Sequence, residues 1–182
     1  MNIEVLFSTK ERKKILVAVL FETGPLSVNE TAARLKLSKG LVSKYLDFLI
    51  KTGVAKRKNA KFLIEHSAAL VKAIKVLLNI EQIDLGFLKK YHFIEAVGLY
   101  GSCAKGENTQ DSDVDLWVFV GSISEEKKAA LAADIRRRIN NVKPLFLTKE
   151  KIKALRKEDE IFYHALSFGS ITLYGAPNVL EL

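Results

Sequence analysis

The sequence predicts an α+β protein: a basic, helical N-terminal third closed by a hairpin, then a mixed half in which strands alternate with helices. Three observations carry this reading. Capped segments with apolar residues at helical spacing run up to residue 51, and short alternating runs with turn residues follow over 54–64. Beyond residue 90, short apolar runs such as Ala96–Tyr100 and Leu116–Val120 alternate with charged, helix-period segments. Charge is also split: residues 1–66 carry 13 Lys/Arg against 6 Asp/Glu, net +7, whereas residues 67–182 carry 16 against 15, net +1. If nucleic acid is a partner, it meets the N-terminal part.

In order, Ser8-Thr-Lys-Glu11 has capping-box spacing, and Ile15, Leu16, Val19 and Leu20 make the apolar face of a first helix expected to stop near Gly24-Pro25. Ser27-Val-Asn-Glu30 is a second capping box opening a short helix with Val28, Ala32 and Leu35 inward. Ser38 caps a third helix that buries Val42, Leu46, Leu49 and Ile50 and ends near Gly53. Val54 to Ile64 then reads as two short strands with a basic tip at Asn59. Ser67 to Asn79 is an amphipathic helix with Leu70, Val71, Ile74, Leu77 and Leu78 on one side, suited to packing within the chain or to pairing with its own copy in a homodimer. A further helical segment, 81–90, is interrupted by Gly86. The domains expected are therefore 1–66, a helical linker 67–90, and 91–182.

The second domain reads as strand (93–100), turn with a short helix, strand (114–120), helix (125–140), strand (142–147), helices (149–157 and 160–168) and a last strand (171–174). Ser124 caps the long helix, Glu125 and Glu126 suit its N-terminal dipole, and Arg136-Arg-Arg138 complements the other pole. No apolar run reaches membrane-spanning length, and Ile15 to Phe21 lacks the flanks of a signal peptide, so a cytoplasmic location is expected. The single cysteine, Cys103, excludes an intramolecular disulfide and reads as a small packed residue. The histidines His66, His92 and His164 have no metal-ligand spacing.

The chemistry concentrates in Leu99-Tyr-Gly-Ser-Cys-Ala-Lys-Gly-Glu-Asn-Thr-Gln-Asp-Ser-Asp-Val-Asp115. Ten residues separate Gly101-Ser102 from Asp113, and Asp115 follows by two. Strand alternation puts Asp113 and Asp115 on one face. Two such carboxylates repel unless a cation lies between them, and an oxygen-seeking divalent ion, most simply Mg2+, is the natural occupant. The glycine allows close backbone approach to a ligand, and N–H groups at a following helix start attract phosphate. Together these are parts for metal-assisted nucleotidyl transfer.

This Gly-Ser-x10-Asp-x-Asp pattern resembles the signature of the minimal nucleotidyltransferases of the DNA polymerase beta superfamily. Ala104, Lys105, Gly106, Glu107 and Ser112 follow the usual run, with Lys105 where arginine is common, and Phe168 to Gly175 resembles the usual end of such domains. The resemblance implies that Gly101, Ser102 and Lys105 bind the nucleotide, and that Asp113 and Asp115 are the catalytic, Mg2+-binding carboxylates. It implies an NTP donor, most simply ATP. It also implies a third carboxylate on the strand 141–147, where the sequence offers only Lys143, with Glu150 beyond the strand end as a substitute. Loss of that group lowers a rate by about 100- to 10,000-fold unless something replaces it.

The first domain resembles a winged helix-turn-helix. That implies double-stranded DNA as partner, with Lys39, Ser43 and Lys44 at the major groove and Lys56, Arg57, Lys58 and Lys61 on a wing that contacts phosphates. The leading expectation is thus a DNA-binding, Mg2+-dependent nucleotidyltransferase that transfers an NMP to an acceptor hydroxyl. A specific version resembles antitoxins that adenylylate a HEPN-type toxin partner. The rival is a non-enzymatic transcription regulator whose degenerate second domain senses nucleotide.

Overall fold

The computed structural model describes residues 4–181. It divides into two compact units, Met1–Leu78 and Asn79–Leu182. In the first, α1 (Glu4–Phe7) precedes α2 (Lys10–Leu20). The cap of α2 is Thr9, whose hydroxyl accepts from the Arg12 N–H, whereas Ser8, expected to cap, donates to the Val5 carbonyl. Adjacent hydroxyls compete for one cap, and Thr9 has the extended backbone the position needs. The helix ends at Leu20, short of the expected Gly24-Pro25 stop.

Helices α3 (Val28–Leu35) and α4 (Lys39–Lys51) are joined by a tight turn in which Lys36 takes the left-handed conformation (φ 54°) and the Leu37 N–H reaches Ala32 O at 3.0 Å. Ser38 caps α4 through the Leu41 N–H, while Ser27 at the start of α3 makes no side-chain cap bond. The buried face of α4 is Val42, Tyr45, Leu46 and Leu49. Tyr45 takes the place expected for Ile50, which is only half-buried, because its hydroxyl finds the Leu6 carbonyl at 2.8 Å. Strands β1 (Ala55–Lys58) and β2 (Lys61–Ile64) form an antiparallel hairpin whose two turn residues, Asn59 and Ala60, both have positive φ. A bridge from Leu26 to Phe62 ties the hairpin to the segment before α3.

Helix α5 (Ala69–Gln82) covers part of the expected linker, but Val71, Ile74 and Leu78 lie in the first unit's core and Leu77 is 54% exposed. The remainder, a 3-10 turn Gly86–Lys90, puts Leu88 into the second unit's core. Segment 67–90 is therefore built into cores at both ends, because its apolar residues bury wherever a facing layer exists.

The second unit is a four-stranded sheet of β3 (Ile94–Leu99), β4 (Val114–Val120), β5 (Val142–Leu147) and β6 (Ile171–Gly175) in the order β5-β4-β3-β6. Only β4–β5 is parallel; β3 pairs antiparallel with β4 and β6. Leu131, Ile135 and Ile139, on and just after α7 (Glu125–Arg138), pack with Val97, Leu116 and Val118. Ile152 of α8 (Lys149–Glu158) and Tyr163 and Leu166 of α9 (Glu160–Gly169) pack with Ala96, Trp117 and Phe119. The sheet is thus covered on both faces, which explains the unbroken apolar run Leu116–Val120 of central β4. Gly98 is required opposite Trp117: a Cβ there would stand 2.3 Å from the indole.

Candidate active site and nucleic-acid interface

Tyr100 follows β3 in extended conformation and leads into α6 (Gly101–Lys105), a five-residue helix closed by Gly106 in the left-handed region. The Tyr100 N–H still bonds the Asp115 carbonyl at 3.0 Å, so the turn starts beside the first residues of β4. Gly101 has φ +68°, and a Cβ on it would lie 2.4 Å from Asp115 Oδ2. The Asp115 carboxylate therefore rests on the bare glycine backbone, and both the conformation and the closeness exclude a side chain.

The loop returning to β4 is pinned at several points. Asn79 donates to Cys103 O at 2.8 Å and to Asn108 Oδ1 at 2.9 Å, and Asn108 donates back to Asn79 Oδ1 at 3.1 Å. Both amides are buried. Ser112 Oγ accepts from the Thr109 N–H at 2.9 Å, and Cys103 Sγ donates to the Asp113 carbonyl at 3.3 Å. Cys103 is a buried packing residue whose thiol is pushed up to about 11, by burial first and then by the Asp115 charge. Neither asparagine was singled out by the sequence reading; the buried pair links residues 29 apart and leaves no local signal.

Asp113 and Asp115 come together at the start of β4. Burial, and then the Asp113 charge, raise the Asp115 carboxyl above its ordinary value, with Lys143 acting in the opposite sense. Burial and the Asp115 charge likewise raise the Tyr100 phenol. Lys143 is the register partner of Asp115 across the parallel β4–β5 ladder, and its Nζ lies 2.5 Å from Asp113 Oδ2. This hydrogen bond raises the lysine's pKa. Glu150 stands elsewhere: β5 ends at Leu147, which pairs with Phe119, four residues or about 13 Å along the strand from Asp115. Glu150 follows in the first turn of α8, where its own backbone N–H and the Thr148 hydroxyl lower its pKa. Lys105 is exposed at the end of α6, with its Cε 3.7 Å from where a Gly169 Cβ would stand, and Gly101 and Ser102 are half-buried.

In the first unit, Lys39 and Lys44 are exposed on α4, with Ser43 half-buried, and Lys58 and Lys61 are exposed partners at the hairpin tip. Lys56 and Arg57, expected on phosphates, each make an exposed ion pair within the domain. Lys56 pairs with Glu65 at 2.5 Å, and Arg57 with Asp47 at 2.7 Å while lying over the Phe62 ring. Opposite charges within reach on α4 and after β2 capture them. Arg137 and Arg138, read as dipole partners, bind buried Asp134, as does Lys90 at 2.8 Å. Among the described residues no group of three or more His, Cys, Asp or Glu gathers, and no helix is long and apolar enough to cross a membrane.

A glycine turn under paired carboxylates on a small mixed sheet, joined to a winged helix-turn-helix, defines a nucleotidyltransferase-type domain fused to a module of the DNA-binding class. The chain belongs to the family described as polymerase beta, nucleotidyltransferase, whose model matches residues 81–175. Residues 9–57 match the model described as bacterial regulatory protein, arsR family. No curated protein matches the sequence significantly. Among solved structures, the chain is similar to a toxin–antitoxin with AMP-PNP (18% identity, 63% of this chain, 79% of that chain, TM-score 0.37). Two others are a tri-AMPylated Shewanella oneidensis HEPN toxin in complex with MNT antitoxin (13%, 58%, 73%, 0.33) and a Sulfolobus solfataricus protein described as a nucleotidyltransferase (21%, 46%, 75%, 0.33).

Proposed function

We propose that the protein transfers a nucleoside monophosphate from an NTP, most simply ATP, to an acceptor hydroxyl, and that its first unit docks on duplex DNA. The observation that carries this is the Asp115 carboxylate resting on Gly101 with Asp113 beside it. The donor set fits a hard divalent ion: two carboxylates on one strand face, with Asp115 raised by burial and then by the Asp113 charge. Asp113 and Asp115 would hold Mg2+, which supplies Lewis-acid polarisation of the phosphate. Gly101 lets the Asp115 carboxylate sit against its backbone, Ser102 beside it offers its hydroxyl to the triphosphate, and Lys105 supplies a positive charge at the end of the short helix α6. The acceptor oxygen attacks the α-phosphorus, an O–P bond forms, the α–β bridging bond breaks, pyrophosphate leaves, and the hydroxyl proton passes to water.

The finer reading is an antitoxin-like adenylyltransferase whose acceptor lies on a HEPN-type toxin; the Gly-Ser-x10-Asp-x-Asp run supports it. On DNA, exposed Lys39, Lys44, Lys58 and Lys61 are the cations that meet the duplex, and Ser43 is the polar neighbour on α4. Lys56 and Arg57 join by leaving exposed ion pairs worth about 0–1 kcal/mol. A cytoplasmic regulator of transcription, forming homodimers on its operator, fits these parts. One observation favours a second reading, a regulator that senses nucleotide without transfer: Lys143, not an acid, faces Asp113.

The experiment is incubation with Mg2+ and each α-labelled NTP, alone and with any toxin encoded beside the gene, against Asp113→Asn/Asp115→Asn. Label moved by the wild type and not by the double variant supports the transferase. Nucleotide binding without transfer under every condition refutes it in favour of the sensor.

A further inference from the structure

We infer that Lys143 is a resident cation of the site: Asp113 and Asp115 take one divalent ion with a nucleoside triphosphate, and the Lys143 ammonium holds the place of a second and donates to the phosphates. This deepens the nucleotidyl-transfer reading and rests on it. Three features aim Lys143 at the carboxylates. The β4–β5 ladder is registered from Val114–Val142 to Phe119–Leu147 without a shift, which sets Lys143 directly across from Asp115. Pro144 follows, and a residue before proline is confined to extended backbone, so the strand geometry at Lys143 is enforced locally. The ammonium already sits 2.5 Å from Asp113 Oδ2.

Charge then decides the stoichiometry. Two carboxylates with one ammonium carry a net charge of −1, and a single divalent ion turns this to +1, a favourable partner for a triphosphate. A second divalent ion would sit beside the ammonium with no further carboxylate to hold it, since no third acidic ligand gathers among the described residues. The side chain of Lys143 is 67% exposed on a four-carbon stem, so its three donors can move from Asp113 to a phosphate oxygen without disturbing the core.

The test is titration of the full chain with Mn2+ in the presence of α,β-methylene ATP, with free Mn2+ read by electron paramagnetic resonance. The wild type is expected to bind one ion per chain and Lys143→Asp two. Lys143→Ala and Lys143→Gln are expected to bind one ion and to lose nucleotide affinity by about tenfold, the scale of one exposed charge-assisted hydrogen bond. Circular dichroism checks that each variant folds, and the exposed side chain favours that outcome. Two ions in the wild type, or one in Lys143→Asp, overturns the inference, as does unchanged nucleotide affinity in Lys143→Gln. Label transfer by a wild type that binds two ions leaves the transferase reading standing and this one refuted. One ion without transfer to any acceptor does the reverse.

Discussion

Gly101→Ala isolates the contact on which the site is built. The left-handed backbone at φ +68° costs an alanine about 1–2 kcal/mol. The new methyl would stand 2.4 Å from Asp115 Oδ2 and 3.3 Å from its Cγ. Reaching ordinary contact at about 3.5 Å requires the carboxylate to retreat by roughly 1 Å. Stability of the second unit should therefore fall by about 1–2 kcal/mol, and displacement on this scale should slow label transfer by about 100-fold. Mn2+ affinity should fall with it. Trp117 is the only tryptophan and is fully buried in β4, so its fluorescence in a urea titration reports unfolding of this unit. Gly121→Ala is the control, because a Cβ there meets only Glu95 Oε1 at 3.5 Å, and it should shift stability by no more than about 0.5 kcal/mol. A Gly101→Ala protein that unfolds and binds Mn2+ like the wild type would refute the argument.

Asn108→Ala removes half of a buried amide pair and leaves Asn79 Oδ1 without the Asn108 donor, so the urea midpoint should drop by the equivalent of about 1–3 kcal/mol. The carboxyl of Asp134 is held below the usual carboxylate range by its hydrogen bond from Lys90, then by those from Tyr91 and Arg137. A depressed folded pKa gives stability that is present above the unfolded value and lost as pH falls toward the folded one. Asp134→Asn should thus be less stable than wild type at pH 7, with the gap closing below about pH 4 in chemical denaturation. On duplex DNA, Lys58→Ala/Lys61→Ala should flatten the log–log salt dependence by about 0.9 per lysine in fluorescence anisotropy. Arg57→Ala should flatten it by a similar increment, because that guanidinium leaves its exposed pair with Asp47 for a phosphate.

What was legible in the sequence was what repeats locally. Ser38 and Ser124 announce helices because a cap needs only its own hydroxyl and an N–H three residues on. The strands of the second unit show as apolar runs between turn residues, and the glycine turn with its two carboxylates is contiguous. Pairings across the fold were hidden. Lys143 was read as standing where an acid was expected, yet its bond to Asp113 depends on a parallel register that no local pattern encodes. Glu150 looked near in sequence and lies beyond the other end of the strand. Lys75, on a helix read for its apolar side, is 1% exposed, beside His66 and over the Phe21 ring, because its stem fills the core like a hydrophobe. Ser8 has capping-box spacing, yet the extended backbone that a cap needs falls at Thr9.

Strand β5 is one border of the sheet, and borders are where chains recruit one another. Pro144 withholds an amide hydrogen within its six residues, and Lys143 adds a charge immediately before it. A foreign strand laid along this border would find an interrupted row of donors and an ammonium at its start. The segment that presents a lysine to the carboxylates is thus also the one that discourages growth of the sheet, and the protein should stay dispersed at concentrations where a plain apolar border would seed aggregates.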